Sequence, residues 1–441
     1  MRYLKWIGLL LILSGNFPLG AEAVKDREGA VRGDAAAMRE DARWIYNDIE
    51  KGFAESKKTG KPLLVVLRCV PCLACMGMDA EVLKSAALQP LLDAFICVRV
   101  INANALDLTR FQFDYDLSFS TLFFEPDGTL LARFGSWKHQ KDKEETSLAS
   151  YRATLQKVLE LHRAYPDNLP GLKGKQGRET RFATPVEIPA LAAKYGRELD
   201  WQGEVVKSCV HCHQVGDALR ADFRERGETI PLALIFPMPG MESLGVMLDA
   251  ETASTVAEVR ALSPASAAEW KAGDEIVELD GQVIASAADL AWVLHHAPEQ
   301  GSLNATVNRD GGQIGLRLVL PPEWRYGTDI SRRVGTWPMR AMALGGLKLE
   351  SLSEEERQTL GELPGPLALR VAGLGKFGPH GAARKAGFQQ GDILVSVAGI
   401  ERDMGEGELI GRLLQAHPKP AQIEATVRRG NRNVTLKLPV Q

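Results

Sequence analysis

With about 150 residues to a typical domain, 441 residues give length for roughly three domains, each able to bury a core of its own. Hydrophobic residues at 45% and charged residues at 25% exclude an intrinsically disordered chain. Lys and Arg number 53 against 56 acidic residues, a formal charge of -3, so no general field attracts nucleic acid, which is excluded as a partner.

In residues 1–23, Arg2 and Lys5 flank the start of an apolar run from Trp6 to Leu13, and the segment closes on Ala21-Glu22-Ala23. This is the layout of a secretory signal peptide, and the run is too short for a hydrocarbon layer that takes about 20 helical residues. It predicts a periplasmic or secreted protein with no membrane span after signal cleavage, in a compartment where disulfides form.

A helix is expected over 39–57, with Trp44, Ile45, Ile49 and Phe53 on one apolar face, ended by Gly60, Lys61 and Pro62. The unbroken apolar run 63–67 reads as a buried strand leading directly into Arg68-Cys69-Val70-Pro71-Cys72-Leu73-Ala74-Cys75. A helix over 76–92, a strand over 95–101 with Cys97 in the core, and a helix over 106–115 follow. Strands 121–125 and 129–134 flank the turn Pro126-Asp127-Gly128, and helix 147–164 closes the unit. Cys69, Cys72 and Cys75 form two overlapping Cys-x-x-Cys pairs at a strand-to-helix junction, where a helix N-terminus stabilises a thiolate. A structural disulfide and a metal site are the alternatives; an iron–sulfur pattern fails because Asp79 stands at its fourth position.

From about Trp44 to Ala164 this layout resembles the thioredoxin superfamily, in particular its thioredoxin-7-like secreted branch. Counted from Lys61-Pro62, the resemblance places the redox pair on Cys72, the attacking thiolate, and Cys75, the resolving thiol, with Cys69 as a further thiol of the catalytic loop. The sequence departs from that family in lacking Trp-Cys-Gly-Pro-Cys and in carrying 118–121 where members present a proline opposite the active site.

Residues 165–201, rich in Pro, Gly and charge, form a connector. In the segment 202–243, Cys209-Val210-His211-Cys212-His213 precedes a helix reaching Arg226 and the turn-rich Phe236-Pro237-Met238-Pro239-Gly240. Cys-x-x-Cys-His is the arrangement of covalent c-type haem attachment, with Cys209 and Cys212 as thioether donors and His213 on the iron. Met238 is the candidate for the sixth ligand, ahead of Met241 and Met247, the last of which reads as strand core. A second redox pair, or a zinc site with His211 or His213, stays open.

Two β-rich units, 244–321 and 344–441, are joined by the linker 322–343 and share Lys-Ala-Gly, Gly-Asp and a tight turn, at Asp280-Gly281 and Ala398-Gly399. Both resemble PDZ domains of the circularly permuted bacterial type. The resemblance implies that Leu244-Gly245-Val246-Met247 and Leu344-Gly345-Gly346-Leu347 receive a peptide carboxylate and that the following strand takes the peptide by β-augmentation, making protein or peptide clients the partners. No Gly-x-Ser-Gly-Gly segment is present, and His380 and His417 lie inside the second unit, so a proteolytic reading is rejected.

The order of parts is similar to a bacterial family described as thioredoxin-like/PDZ (seleno)proteins. Arg68-Cys69-Val70-Pro71-Cys72, Phe113-Asp114-Tyr115-Asp116-Leu117 and Cys209-Val210-His211-Cys212-His213-Gln214 carry that similarity; some members place selenocysteine at a redox position. The expected fold class is therefore multidomain: an α/β thioredoxin-like fold from 39 to 164, a short α-rich Cys-x-x-Cys-His segment and two PDZ-like β-rich domains. The expected function is a secreted thiol–disulfide oxidoreductase whose PDZ grooves dock clients. The alternatives are a peptide-binding scaffold on a redox-inactive fold and a c-type cytochrome-like electron carrier.

Overall fold

The computed structural model describes residues 26–70, 78, 82–117, 119–135, 148–252, 254–331, 333–360 and 365–441. The signal segment 1–23 and the expected redox pair, Cys72 and Cys75, lie outside the described residues, as does Ser118.

The chain enters through helix α1 (Arg27–Glu40), whose first turn is capped by Asp26 accepting from the Gly29 N–H at 2.7 Å. The helix expected over 39–57 is two elements instead: strand β1 (Trp44–Tyr46) and helix α2 (Ile49–Thr59). Asn47, at φ 56, turns the chain between them, and Asp48 caps α2 by accepting from the Lys51 N–H at 2.9 Å. Gly60, left-handed at φ 73, ends α2.

Strands β2 (Leu63–Arg68), β3 (Ile96–Val100), β4 (Phe119–Phe124) and β5 (Leu130–Gly135) complete a sheet of order β1-β3-β2-β4-β5. β1, β3 and β2 run parallel, and β4 and β5 are antiparallel. Central β2 is apolar from Leu63 to Leu67 because both of its faces are covered. Leu64 and Val66 pack with Tyr151, Leu155 and Val158 of helix α3 (Leu148–Arg163), while Leu63, Val65 and Leu67 pack with Phe53 of α2 on the other side. Each of these fully buried aliphatic side chains is worth about 1.5–3 kcal/mol of transfer free energy. Residues 106–115 form turns and no helix; Leu106, Phe111 and Phe113 are held by packing into the α2 side of the core. Of the helix expected over 76–92, the described part includes the four-residue turn Gln89–Leu92.

The connector carries short helices at Leu169–Leu172 and Pro189–Ala192, and its Leu172 joins the α3 side of the thioredoxin-like core. Helix α4 (Cys212–Glu225) follows.

The first repeat unit pairs β6 (Val246–Leu248) with β7 (Val256–Val259), and its second sheet has the order β11-β10-β8-β9, with β8 (Glu275–Leu279), β9 (Gln282–Val283), β10 (Gly301–Arg309) and β11 (Gly312–Leu320). Its long helix is α5 (Ala287–His296). The linker contributes helix α6 (Thr336–Leu344). The second unit is one sheet, β12-β13-β14-β15-β16, built from β12 (Leu347–Ser351), β13 (Leu369–Leu374), β14 (Ile393–Val397), β15 (Ala421–Arg429) and β16 (Arg432–Val440), with helix α7 (Glu406–Ala416).

The sequence repeat has a common physical origin. Asp274 of the first Gly-Asp pair is wholly buried and takes two bonds from Arg309, at 2.6 and 2.7 Å, plus the Lys271 N–H at 2.9 Å. Asp392 of the second takes two bonds from Arg429, both at 2.7 Å, plus the Gln389 N–H at 2.9 Å. Such bidentate, charge-assisted pairs fix the turn before each Gly-Asp strand to the long hairpin behind it.

Candidate functional site

β2 ends at Arg68, so Cys69 stands at the carboxyl edge of the sheet, where the cysteine-bearing sequence 69–75 begins. Its Sγ lies 2.9 Å from Nδ1 of His211, a residue 142 positions away in the chain. His211 is the N-cap of α4; its backbone N–H donates to Gln214 Oε1 at 2.8 Å, and Gln214 in turn donates to the Tyr195 hydroxyl at 3.0 Å. Burial pushes the His211 imidazole down to about 4, with the neighbouring His213 and Arg27 adding to the effect. The ring is therefore neutral near pH 7 and resists protonation, so its contact with the Cys69 sulfur is a hydrogen bond between uncharged groups.

Asn104, fully buried, fastens the Cys-x-x-Cys-His segment to the thioredoxin-like unit. Its Oδ1 accepts from the Val210 N–H at 2.7 Å, and its Nδ2 donates to the carbonyls of Ser208, at 2.7 Å, and Gly196, at 2.8 Å. Nothing in the spacing of the sequence marks this residue; only its role as a buried amide bonded to the segment at Val210 and Ser208 and to the connector at Gly196 identifies it.

The donors expected for haem diverge. Cys209 points into an apolar cluster with Val31, Val70 and Ile101, its thiol directed at the Ile101 carbonyl at 3.4 Å. Burial pushes that thiol up to about 11. Cys212 packs against the cluster of Phe53, Phe111 and Phe113. His213 stacks on His211, ring centroids 5.8 Å apart. Met238 lies in a separate cluster with Ala291 and Trp292 of α5, its N–H donating to His295 Nδ1 at 3.3 Å. The void shared by Cys69, Cys209 and His211 measures about 10 Å³, room for one water at most, against roughly 300 Å³ and more for a cofactor pocket. As folded, these residues do not fit a covalent haem. Among the described residues, no group of three or more His, Cys, Asp or Glu is placed to hold a metal ion.

The loops expected to receive a carboxylate lead into β6 and β12, and their backbone calls for glycine. Gly245 is at φ 93 and Gly346 at φ 89, and a Cβ on Gly346 would stand 1.9 Å from the His380 carbonyl oxygen. Leu244, Val246, Leu344 and Leu347 are buried. Met247, expected in the core, is instead 45% exposed, because β6 is a sheet edge and alternate residues face outward. The Gly345 and Gly346 N–H groups both turn back to the Arg340 carbonyl, capping α6, and the Gly245 N–H turns back to Glu242 at 3.1 Å.

The parallel strands β1, β3 and β2, the antiparallel β4 and β5, and the thiol at the end of β2 define a thioredoxin-like domain, which here is joined to a PDZ domain in one multidomain α/β chain. A family model described as thioredoxin-like matches residues 44–126, and one described as PDZ domain matches 243–320. A probable periplasmic serine endoprotease DegP-like from Halomonas elongata is 27% identical over 189 residues, 40% of this chain and 35% of that protein. Its namesake from Pseudomonas savastanoi pv. phaseolicola is 28% identical over 154 residues, 35% of this chain and 30% of that protein. The chain thus spans about a third of the length of the curated relatives it matches. A solved HtrA-type protease with a decapeptide is 19% identical, covers 32% of this chain and 40% of that chain, and has a TM-score of 0.21. No helix among the described residues is long and apolar enough to cross a membrane.

Proposed function

We propose that the protein is a periplasmic thiol–disulfide oxidoreductase whose PDZ units hold an extended segment of the client protein. The observation that carries this reading is the contact between Cys69 and the His211 imidazole, at the strand end where the thioredoxin-like sheet presents its cysteine loop. The contact holds the thiol-bearing strand end in a fixed place against the Cys-x-x-Cys-His segment, and exchange with a client disulfide then needs a thiolate formed in that stretch. In this reading Cys72 attacks the client disulfide, Cys75 resolves the mixed disulfide, and Cys69 is the third thiol of the loop. The periplasmic assignment is supported by the signal-like residues 1–23 and by the printed names of the DegP-like relatives. A client held by one module meets the other at effective concentrations near the millimolar range, so weak peptide binding suffices.

Reduction of a model protein disulfide by the full chain tests it, with dithiothreitol supplying two electrons per cycle to return the Cys72–Cys75 disulfide to the dithiol. Cys72→Ser abolishes turnover, and Cys75→Ser accumulates a mixed disulfide visible by mass spectrometry. Turnover at the unaltered rate in Cys72→Ser rejects the reading and leaves the second one, a peptide-binding scaffold, which the PDZ match at 243–320 favours independently.

A further inference from the structure

The two repeat units differ at the sheet edge where a peptide strand would add. β6 and β12 are both edge strands, paired on one side to β7 and β13. Their registers match. Leu248 stands opposite Val256, whose own N–H goes to the Asp274 carbonyl at 2.8 Å; Leu349 stands opposite Val371, whose N–H goes to the Asp392 carbonyl at 2.7 Å. Leu248 and Leu349 are thus equivalent positions.

In the second unit that edge is taken. The Leu349 N–H donates to Oε1 of Glu406, the first residue of α7, at 2.7 Å. The Glu406 carboxylate is clamped by Arg340 of α6 through Nε at 2.9 Å and Nη2 at 2.6 Å, and Arg340 is itself fixed on the Ser331 carbonyl at 2.8 Å. Glu406 is 5% and Arg340 7% exposed, so the bridge spans strand and helix inside the groove. Among the described residues the first unit has no counterpart: α5 begins after the N-cap Ser286 with Ala287, which is exposed.

We propose that the second unit is a closed copy, its strand edge held by its own Glu406–Arg340 bridge, and that a client's extended segment adds only to the β6 edge of the first unit. The inference rests on the peptide-binding part of the proposed function. The bridge stands in for a ligand: its carboxylate accepts the edge N–H that an added strand's carbonyl would accept. Removing Glu406 alone strands the Arg340 charge, which is costly, whereas removing both charges is not. The sealed unit serves instead as a structural platform. Its Gln415 and the ring of Phe236 over Gly411 hold residues 230–236, and its Lys419 packs on Gly227.

The test is peptide stoichiometry on the full chain, read by fluorescence anisotropy with a fluorescein-labelled extended decapeptide of alternating Val and Ser that ends in a free carboxylate. The native sequence takes one peptide per chain. Leu248→Pro, which removes the edge N–H of the first unit, takes none, and the double variant Glu406→Ala/Arg340→Met takes two. Folding of each variant is checked by circular dichroism, and Leu349 amide exchange supplies a probe-free readout, slow in the native sequence and fast in the double variant. Two peptides on the native sequence, one on Leu248→Pro, or one on the double variant overturns the assignment. No peptide on any of the three overturns the peptide-binding reading as well, while leaving disulfide turnover to be judged by itself.

Discussion

Lys175 Nζ lies 2.6 Å from Asp289 Oδ2, with both side chains only 1% exposed, and this pair locks the connector of the thioredoxin-like unit to α5 of the first repeat. Around it, Asp289 Oδ1 accepts the Arg133 N–H of β5 at 3.0 Å, and the Arg133 guanidinium stacks 3.6 Å over Trp292. The open edge of β5 is thereby covered by the neighbouring unit. The thioredoxin-like unit and the first repeat therefore meet through a buried, bonded interface, and α5, the helix beside the β6 groove, is part of it.

Breaking this pair on one side is expected to be expensive. Asp289→Ala leaves the Lys175 ammonium buried without its counter-charge and should cost about 3–5 kcal/mol in urea unfolding. The double variant Lys175→Met/Asp289→Leu removes both charges and should recover most of that loss. A single variant with unchanged unfolding midpoint would show that the pair contributes nothing to the docked state.

The Cys69–His211 contact predicts a reactivity that no distant histidine shares. At pH 7, iodoacetamide should modify Cys69 faster in His211→Ala than in the native sequence, since the buried neutral ring covers the thiol without ionising it. His213→Ala, which removes the stacked ring but not the covering one, should leave the rate near its native value. Peptide mapping by mass spectrometry reads Cys69 separately from the other thiols.

How far the sequence reveals this architecture depends on the range of the forces involved. β2 is legible because burial on both faces makes its positions 63–67 an unbroken apolar run. The repeat is legible because Asp274 and Asp392 do the same local work with their arginines. β1 is not: three residues are too few for a period, and Trp44, Ile49 and Phe53 mimic one helical face across the break at Asn47. Residues 106–115 carry apolar side chains at helix-like intervals, yet tertiary packing fixes them as turns. The thiol–imidazole contact and the Glu406 seal join residues 142 and 57 positions apart, and no local pattern records such meetings.

Acid lability follows from the histidines at the same interface. Burial pushes His295 down to about 3, aided by His296, Arg325 and Arg133, and it pushes His296 down to about 4. In the unfolded chain both titrate near 6.5. As the pH falls below about 6.5 the unfolded chain binds protons that the folded rings refuse, so stability is lost across the window from about 6.5 to about 4 and, for His295, on toward 3. Each histidine should contribute a slope of up to about 1.4 kcal/mol per pH unit there. In urea unfolding at pH 7, 6 and 5, His295→Gln should flatten the decline; an unchanged slope would remove His295 as its source.

The divergence of Cys209, Cys212 and Met238 makes a spectroscopic prediction. Covalent attachment needs both thiols on one edge of a macrocycle, but Cys209 is sunk beside Ile101 and Cys212 against Phe111. To accept haem, α4 would have to leave the Asn104 clamp and expose both clusters, which means giving up two hydrogen bonds, with the Val210 N–H and the Ser208 carbonyl, both at 2.7 Å and held by one buried amide. Protein purified from a periplasm that contains the c-type attachment machinery should therefore show no Soret band surviving acid–acetone extraction, and Asn104→Ala should loosen the segment without creating one. A retained band in the native sequence would mean that the segment folds differently in the cell, and it would restore the electron-carrier reading in place of the thiol–imidazole site.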